Sequence, residues 1–483
     1  MDETGTTGKK YRGKGAVRMK AYLLAGGMGR RLWPFAEYRN KAALPIGNLP
    51  LARRTADAAF AAGIEELVVA ASHMAAELKK IFLFDARVTV VETKATAGSA
   101  ETLEAAVAAS PFIGDAMVLF GDCLYSEADL YALAQTHAET QAAVTALLSP
   151  VMETGDSGDR ICAQTDAGGR LRGFAGHIEE ERYQVLEAFL FKSAPPVGSP
   201  FLPYLSAAGV FEGAGIGGMP PRGERHVETA LALYAGREGA VPACTGAAPF
   251  VDVDKPWQIM EACWLTVRAE TSALSRNRLA DGAAIDPTAR LTGCVQLGRN
   301  SRIGRNVTVN GNVIVGDDTV IDNGAVLDGD MIIGDHTRIE NYCYIGGGST
   351  VGSRCKILHA AEFDGVLFDG AYLYHYMEID GLIGKNVDIG ASCVCGTLRF
   401  DNKASRHDVC GRKETPRSFA NATYIGDYSR TGVNCTFYPG VTIGCNCAIG
   451  PGVVVTENIE SNQMVLVKQE LIRKPWGPEK YGW

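Results

Sequence analysis

From Ile285 onward every sixth residue is aliphatic: Leu291, Leu297, Ile303, Val309, Val315, Ile321, Leu327, Ile333, Ile339, Ile345, Val351 and Ile357 follow without a miss. Four residues after each comes mostly a small or modest side chain, such as Ala289, Ser301, Thr319, Ala325, Thr337, Cys343 or Ser349. This repetition predicts a parallel β-helix, in which short strands stack coil on coil and the aliphatic residue points inward. The repeat returns at Ile383 and Ile389, and again at Phe437, Ile443, Ile449 and Val455. The intervals 358–382 and 396–424 are therefore expected to leave the coil as loops, and loops on a rigid scaffold are where function gathers.

The first half follows another pattern. The runs "AYLLAG" at Ala21, "ELVVAAS" at Glu66, "VTVVET" at Val88 and "AMVLFGD" at Ala116 read as strands. Between them, "PLARRTADAAFAAG" from Pro50 and "SAETLEAAVAAS" from Ser99 read as helices with alanine-rich faces and no internal proline. Such alternation predicts a mainly parallel α/β sheet that binds ligands at the carboxyl ends of its strands. The chain divides into a disordered extension over 1–18, an α/β domain over 19–260, a helical linker over 261–282, the coil over 283–460 and a tail over 461–483. A helix is expected from Gln258 to about Arg278. The tail, with Trp476 and Trp483, is expected to pack on the coil or on a neighbour.

Composition narrows the field. At 483 residues the chain is too long for one core. Its net charge of −8 gives no support to binding of nucleic acid, although small anions held by local donors remain open. No apolar run approaches the roughly 18 residues needed to cross a bilayer, and the start lacks a secretory apolar core, so no membrane role and a cytoplasmic location are expected. The thirteen cysteines show no regular pairing pattern and read as reduced, packed thiols.

The chemistry is concentrated in "YLLAGGMGRRLWPF", from Tyr22, and "NKAALPIG", from Asn40. A glycine-rich turn after a strand exposes successive backbone N–H groups that can surround phosphate oxygens. The turn lacks both the dinucleotide-fold and the P-loop spacing. Taken with the lysine that follows, it resembles the sugar-1-phosphate nucleotidylyltransferases, written L-A-G-G-x-G-T-R-L-x-P followed by P-K-x-L-x-P. Arg30 stands in place of the family's threonine and Asn40 in place of its first proline. The resemblance implies a Rossmann-like nucleotidyltransferase domain with Leu24, Ala25, Gly26, Gly27, Gly29 and Arg30 at the nucleotide, and Arg31 and Lys41 as catalytic residues. It extends to "TAGSAETL", placing Gly98, Ser99 and Ala100 at the nucleobase and ribose. In "LFGDCLY" and "FVDVDKPWQIMEA" it implies Asp122 and Asp252 as ligands of Mg²⁺, with Lys255 where the family has threonine. Ala208 and Gly209 in "LSAAGVFEG", read as a strand, and Lys192 in "EAFLFKSAP" are implied at the sugar phosphate.

With the coil included, the chain resembles the bifunctional sugar nucleotidylyltransferase/acetyltransferases of archaeal type, most specifically at "GTLRFDN", "GRKETPRS" and "YIGDYSRTGVNCTFYPGVTIG". That implies a left-handed β-helix, a homotrimer or dimer of trimers, and acetyl-CoA as co-substrate. His375 in "LYHYMEIDGLIG" would then be the base that takes a proton from a sugar amine. Glu378 stands where the family has tyrosine, and Thr397 where it has asparagine. The expected reaction joins UTP or dTTP to a sugar-1-phosphate and releases pyrophosphate. The other reading left open is a degenerate regulatory or scaffold homologue whose β-helix only mediates assembly.

Overall fold

A computed structural model describes residues 19–480 apart from 153–160, 177–181, 194–197, 209–222 and 249–250. The extension expected over 1–18 lies outside the described residues. The chain forms two compact units, residues 1–262 with 407–418 and residues 263–406 with 419–483. The boundary falls within the helix Pro256–Thr271.

In the first unit the four expected strands appear as Met19–Leu24, Glu66–Ala71, Val88–Glu92 and Gly114–Phe120, all parallel. The expected helices appear as Leu51–Ala61 and Ser99–Ala109. The sheet runs Val88–Glu92, Glu66–Ala71, Met19–Leu24, Gly114–Phe120, and then the antiparallel Arg182–Ser193. From Met19–Leu24 the chain first builds toward one edge and then returns to add Gly114–Phe120 on the other side. The strand order therefore reverses between these two strands, and a crevice at their carboxyl ends is where an open α/β sheet binds ligands. Those ends carry the glycine loop and Asp122. They are stitched by Gly121, whose N–H donates to Leu24 O at 2.8 Å. A Cβ on Gly121 would stand 2.8 Å from that same oxygen, so only glycine fits.

The second unit is the predicted coil. Ile303, Ile321, Ile339 and Ile357 stack in register 18 residues apart, three hexapeptides to the turn. Every counted position from Leu297 to Ile357 is buried, while Ile285 and Leu291, at the end of the stack, are partly covered. The small residues form a second interior column. Thr319 donates from Oγ1 to Gly334 O at 2.7 Å and accepts from Thr337 N at 3.0 Å, and Thr337 repeats both bonds one coil on. The Thr319 and Thr337 hydroxyls of this column are thus satisfied by the backbone they stack on.

Three expectations need correction. The interval 358–382 does not leave the coil. It continues with a 16-residue turn, pairing Val351 with Leu367, Ile357 with Leu373 and Phe363 with Ile379. One side is two residues shorter: Phe363 and Leu367 both point inward, and the corner between them is turned at Gly365, with φ +122°. A count by six cannot register a side of four. The coil also starts earlier and ends later than expected, because Arg278–Leu279 pairs with Val295–Leu297 and Met464–Val465 pairs with Ala448–Ile449. The linker helix correspondingly occupies Pro256–Thr271 and not Gln258–Arg278. Only 396–424 is a true excursion, since Ile383 pairs directly with Ile425. Beyond Val465 the tail is mostly exposed, Trp476 included. All thirteen cysteines are unpaired thiols, twelve of them buried or half-buried and Cys410 exposed.

Candidate active site

At Gly29 the backbone takes φ +63°, and a Cβ there would stand 2.9 Å from that of Ala36. This glycine starts the short 3-10 turn Arg30–Leu32. Gly26 is narrowly framed by Thr102 and Ser72, whereas Gly27 faces open space. Leu24 and Ala25 are buried, Ala25 N donating to Ala70 O at 2.8 Å, and Arg30 is exposed.

The adjacent turn Lys41–Ala43 is fixed by the residue that departs from the family pattern. Asn40 is fully buried, caps Ala42 N at 2.8 Å, and donates its amide to Ala25 O at 3.1 Å and His73 O at 2.7 Å. A proline there could make none of these side-chain bonds. Asn40 thereby ties the lysine turn to the glycine loop.

Lys41 is the centre of the site. Its Nζ lies 2.7 Å from Asp122 Oδ2, 2.9 Å from Asp254 Oδ1 and 3.8 Å from Asp252 Oδ1. Burial works against its charge, but Asp122, Asp254 and Asp252 more than offset this and hold the ammonium well above the usual lysine range. Asp122 and Asp252 come together because Cys123–Leu124 pairs antiparallel with Val251–Asp252, with Val253 N donating to Asp122 O at 2.7 Å. Ligand atoms of Asp122, Cys123 and Asp252 lie within 4.8 Å of one another. Burial, reinforced by Asp122 and Asp252, pushes the Cys123 thiol well up and keeps it protonated. Two carboxylates remain as donors, a set that fits a hard divalent cation such as Mg²⁺.

The sequence reading missed Asp254. Its carboxylate accepts from Lys41 Nζ at 2.9 Å and from Arg31 Nη1 at 2.7 Å, so it aligns both catalytic candidates. Its signal was the alternation Asp252-Val253-Asp254, which puts two acids on one side of an extended segment. Burial opposes ionisation of Asp254, yet Lys41 and Arg31 bring its pKa down to about 2. A folded-state pKa below the unfolded value near 3.9 means that ionisation stabilises the fold above pH 4 and that this contribution disappears as pH falls toward 2. Acid titration of unfolding should show the loss between pH 4 and 2, and Asp254→Asn should flatten that limb; an unchanged limb contradicts the assignment.

Glu187 was also missed. It lies beside the carboxyl end of Gly114–Phe120 because its neighbour Ala188 pairs with Leu119. Burial lifts its carboxyl to about 7 despite a hydrogen bond from Ser149, with Asp129 adding to the rise.

The other predicted residues are distributed differently. Gly98, with φ +110°, Ser99 and Ala100 line up against residues 225–227: Ala100 N donates to Arg225 O at 3.0 Å, and Ser99 Oγ accepts from Val227 N at 3.0 Å. Lys192 is not brought to the site. It pairs with Asp115, at the start of the strand that ends before Asp122, which puts it roughly 20 Å away along the sheet. The antiparallel direction of Arg182–Ser193 is the cause. Ala208 is buried at the end of the helix Leu202–Ala207, where a strand was expected, and Gly209 lies outside the described residues. His375, in the second unit, packs against His359 with ring centroids 4.5 Å apart.

A glycine-rich turn, a buried lysine and paired aspartates thus meet at the switch point of the first unit's mixed sheet. Residues 20–174 match the Nucleotidyl transferase family, 295–328 the hexapeptide repeat of succinyl-transferase, and 422–457 the bacterial transferase hexapeptide. The chain is 24% identical over 428 residues to a bifunctional sugar-1-phosphate nucleotidylyltransferase/acetyltransferase of Sulfurisphaera tokodaii, covering 88% of this chain and 94% of that one. It is 30% identical over 299 residues to a mannose-1-phosphate guanylyltransferase of Mycobacterium tuberculosis, covering 59% and 77%. A shorter match, 31% over 94 residues and 19% and 22% of the two chains, is to the bifunctional protein GlmU of Methanocaldococcus jannaschii. The chain belongs to the sugar-1-phosphate nucleotidylyltransferases, with the hexapeptide-repeat left-handed β-helix as its second part. Among the described residues no helix is long and apolar enough to cross a membrane.

Proposed function

We propose that the chain joins UTP or dTTP to a sugar-1-phosphate, giving a nucleotide sugar and pyrophosphate. The observation that carries this reading is the Lys41 ammonium held among Asp122, Asp252 and Asp254 beside the glycine loop. A phosphate oxygen of the sugar-1-phosphate attacks the α-phosphorus in line, the bond to the β-phosphate oxygen breaks, and pyrophosphate leaves. The nucleophile is already ionised, so no general base is needed. Both reactants are anions, and the work of the site is to hold them together and offset their charge. Loop amides and Arg31 hold the triphosphate, and Lys41 meets charge developing at the reacting phosphorus. Mg²⁺ held by Asp122 and Asp252 would neutralise charge on the α-phosphate and the leaving group.

The test is pyrophosphate release across a matrix of nucleoside triphosphates and sugar-1-phosphates. GTP belongs in the matrix because the mycobacterial relative is named a guanylyltransferase. Turnover with UTP or dTTP is expected. Turnover confined to GTP overturns the base assignment, and tight nucleotide binding with no turnover favours the regulatory homologue.

For the coil we propose acetyl transfer from acetyl-CoA to an amino sugar, with His375 as base, in a homotrimer. The name of the Sulfurisphaera relative supports it. Release of CoA with amino-sugar phosphates, lost in His375→Ala, is the expected result.

A further inference from the structure

The loop from Asp252 to Gln258 is anchored on several sides. Asp252 pairs through its backbone with Cys123, Asp254 is held by Lys41 and Arg31, and Asp254 N donates to Gln258 Oε1 at 2.9 Å. The next two side chains reach elsewhere. Lys255 forms an ion pair with Glu414, the lysine side chain 13% and the glutamate 7% exposed. Trp257 packs against His407, with ring centroids 5.2 Å apart, and the Lys255 ammonium lies 5.8 Å from the centre of the same indole. His407–Val409 and Arg412–Glu414 form a two-stranded hairpin, and this segment is part of the first unit although it follows the metal loop by about 150 residues of sequence. Arg412 also lies 3.3 Å from the second oxygen of Glu414.

We infer that this hairpin is a positioning element of the nucleotidyl-transfer site, acting through Lys255 and Trp257 on the loop that carries Asp252 and Asp254. The inference rests on the reading of Asp122 and Asp252 as cation ligands. Its physical basis is the buried ion pair. A nearly covered ammonium next to Asp254 must have a counter-charge, and Glu414 supplies it. Without Glu414 the lysine is left as an uncompensated buried charge, a strong drive for the loop to move. Outer-shell supports of this kind affect metal affinity by roughly 10- to 100-fold. Lys255 replaces the family's threonine, so in this chain lysine and glutamate act as one device.

The test is a Mn²⁺ titration of the full-length protein with the triphosphate and no sugar phosphate, reading free Mn²⁺ by electron paramagnetic resonance. Glu414→Gln is expected to weaken Mn²⁺ binding about tenfold. Lys255→Met should do the same, and the Lys255→Met/Glu414→Gln pair should cost no more than either single change, because both members of the buried pair are then uncharged. Unchanged Mn²⁺ affinity in both single variants overturns the inference, as does additivity in the double variant. A fall in thermal midpoint with no change in Mn²⁺ affinity also overturns it. Asp122→Asn in the same titration separates the two levels. If it loses Mn²⁺ binding while Glu414→Gln does not, only the hairpin's role fails; if it binds Mn²⁺ as before, the metal reading fails and takes the inference with it.

Discussion

Asp122→Asn is expected to reduce pyrophosphate formation by roughly a thousandfold or more while leaving the protein folded. Asp122 lies just beyond the strand Gly114–Phe120, next to the switch point, and its carboxylate both pairs with Lys41 and is implied to face the cation. Asparagine keeps the shape and the backbone hydrogen bond to Val253 N, which uses the Asp122 carbonyl. What it removes is one negative charge from a group that pairs with the Lys41 ammonium and, on the proposed reading, faces a divalent cation. Asp254 still holds Lys41 at 2.9 Å, so the lysine is not left alone and the sheet loses little stability. Unfolding midpoints of the two proteins should agree within a few degrees. A variant that turns over normally contradicts the role given to Asp122.

Ile345→Asp should have the largest effect on stability. Ile345 is fully buried in the coil, paired with Leu327 on one side and Phe363 on the other. An ionised carboxylate there meets only apolar side chains and backbone, a cost of about 4–5 kcal/mol or more. Each coil touches only its neighbours, so the break interrupts the stack in the middle and leaves both halves short of partners. Ile345→Val, which removes one methylene and keeps the pattern, should cost about 1 kcal/mol. Thermal unfolding followed by circular dichroism compares the two. An Asp variant that melts within a few degrees of the parent contradicts the interior position.

These two sites show why the sequence was unequally informative. Each coil needs one aliphatic residue facing inward per side, so the period of six is written directly in Leu297 to Ile357. The shorter side at Phe363 and Leu367 hides because its spacing of four falls out of step with that count, and Gly365, which turns the corner, is one glycine among many. Lys41, Asp122 and Asp252 could be picked out by motif, each close to a strand end. Asp254 occupies a position the motif leaves open, and its importance comes from two cations contributed by segments more than 200 residues away. Lys192 was misplaced because a run of apolar residues does not say which way its strand points. The Lys255–Glu414 pair joins residues remote in sequence, and only folding brings them together.

The central claim is that Lys41, Asp122 and Asp252 form one site for anionic reactants and a divalent cation. Its most direct test is a crystal soaked with Mn²⁺ and a non-hydrolysable triphosphate, with the metal located by anomalous scattering. The account predicts a peak about 2.1 Å from carboxylate oxygens of both Asp122 and Asp252, with the α-phosphate beside Lys41. A peak elsewhere, or the two carboxylates turned away from a well-ordered nucleotide, would contradict it.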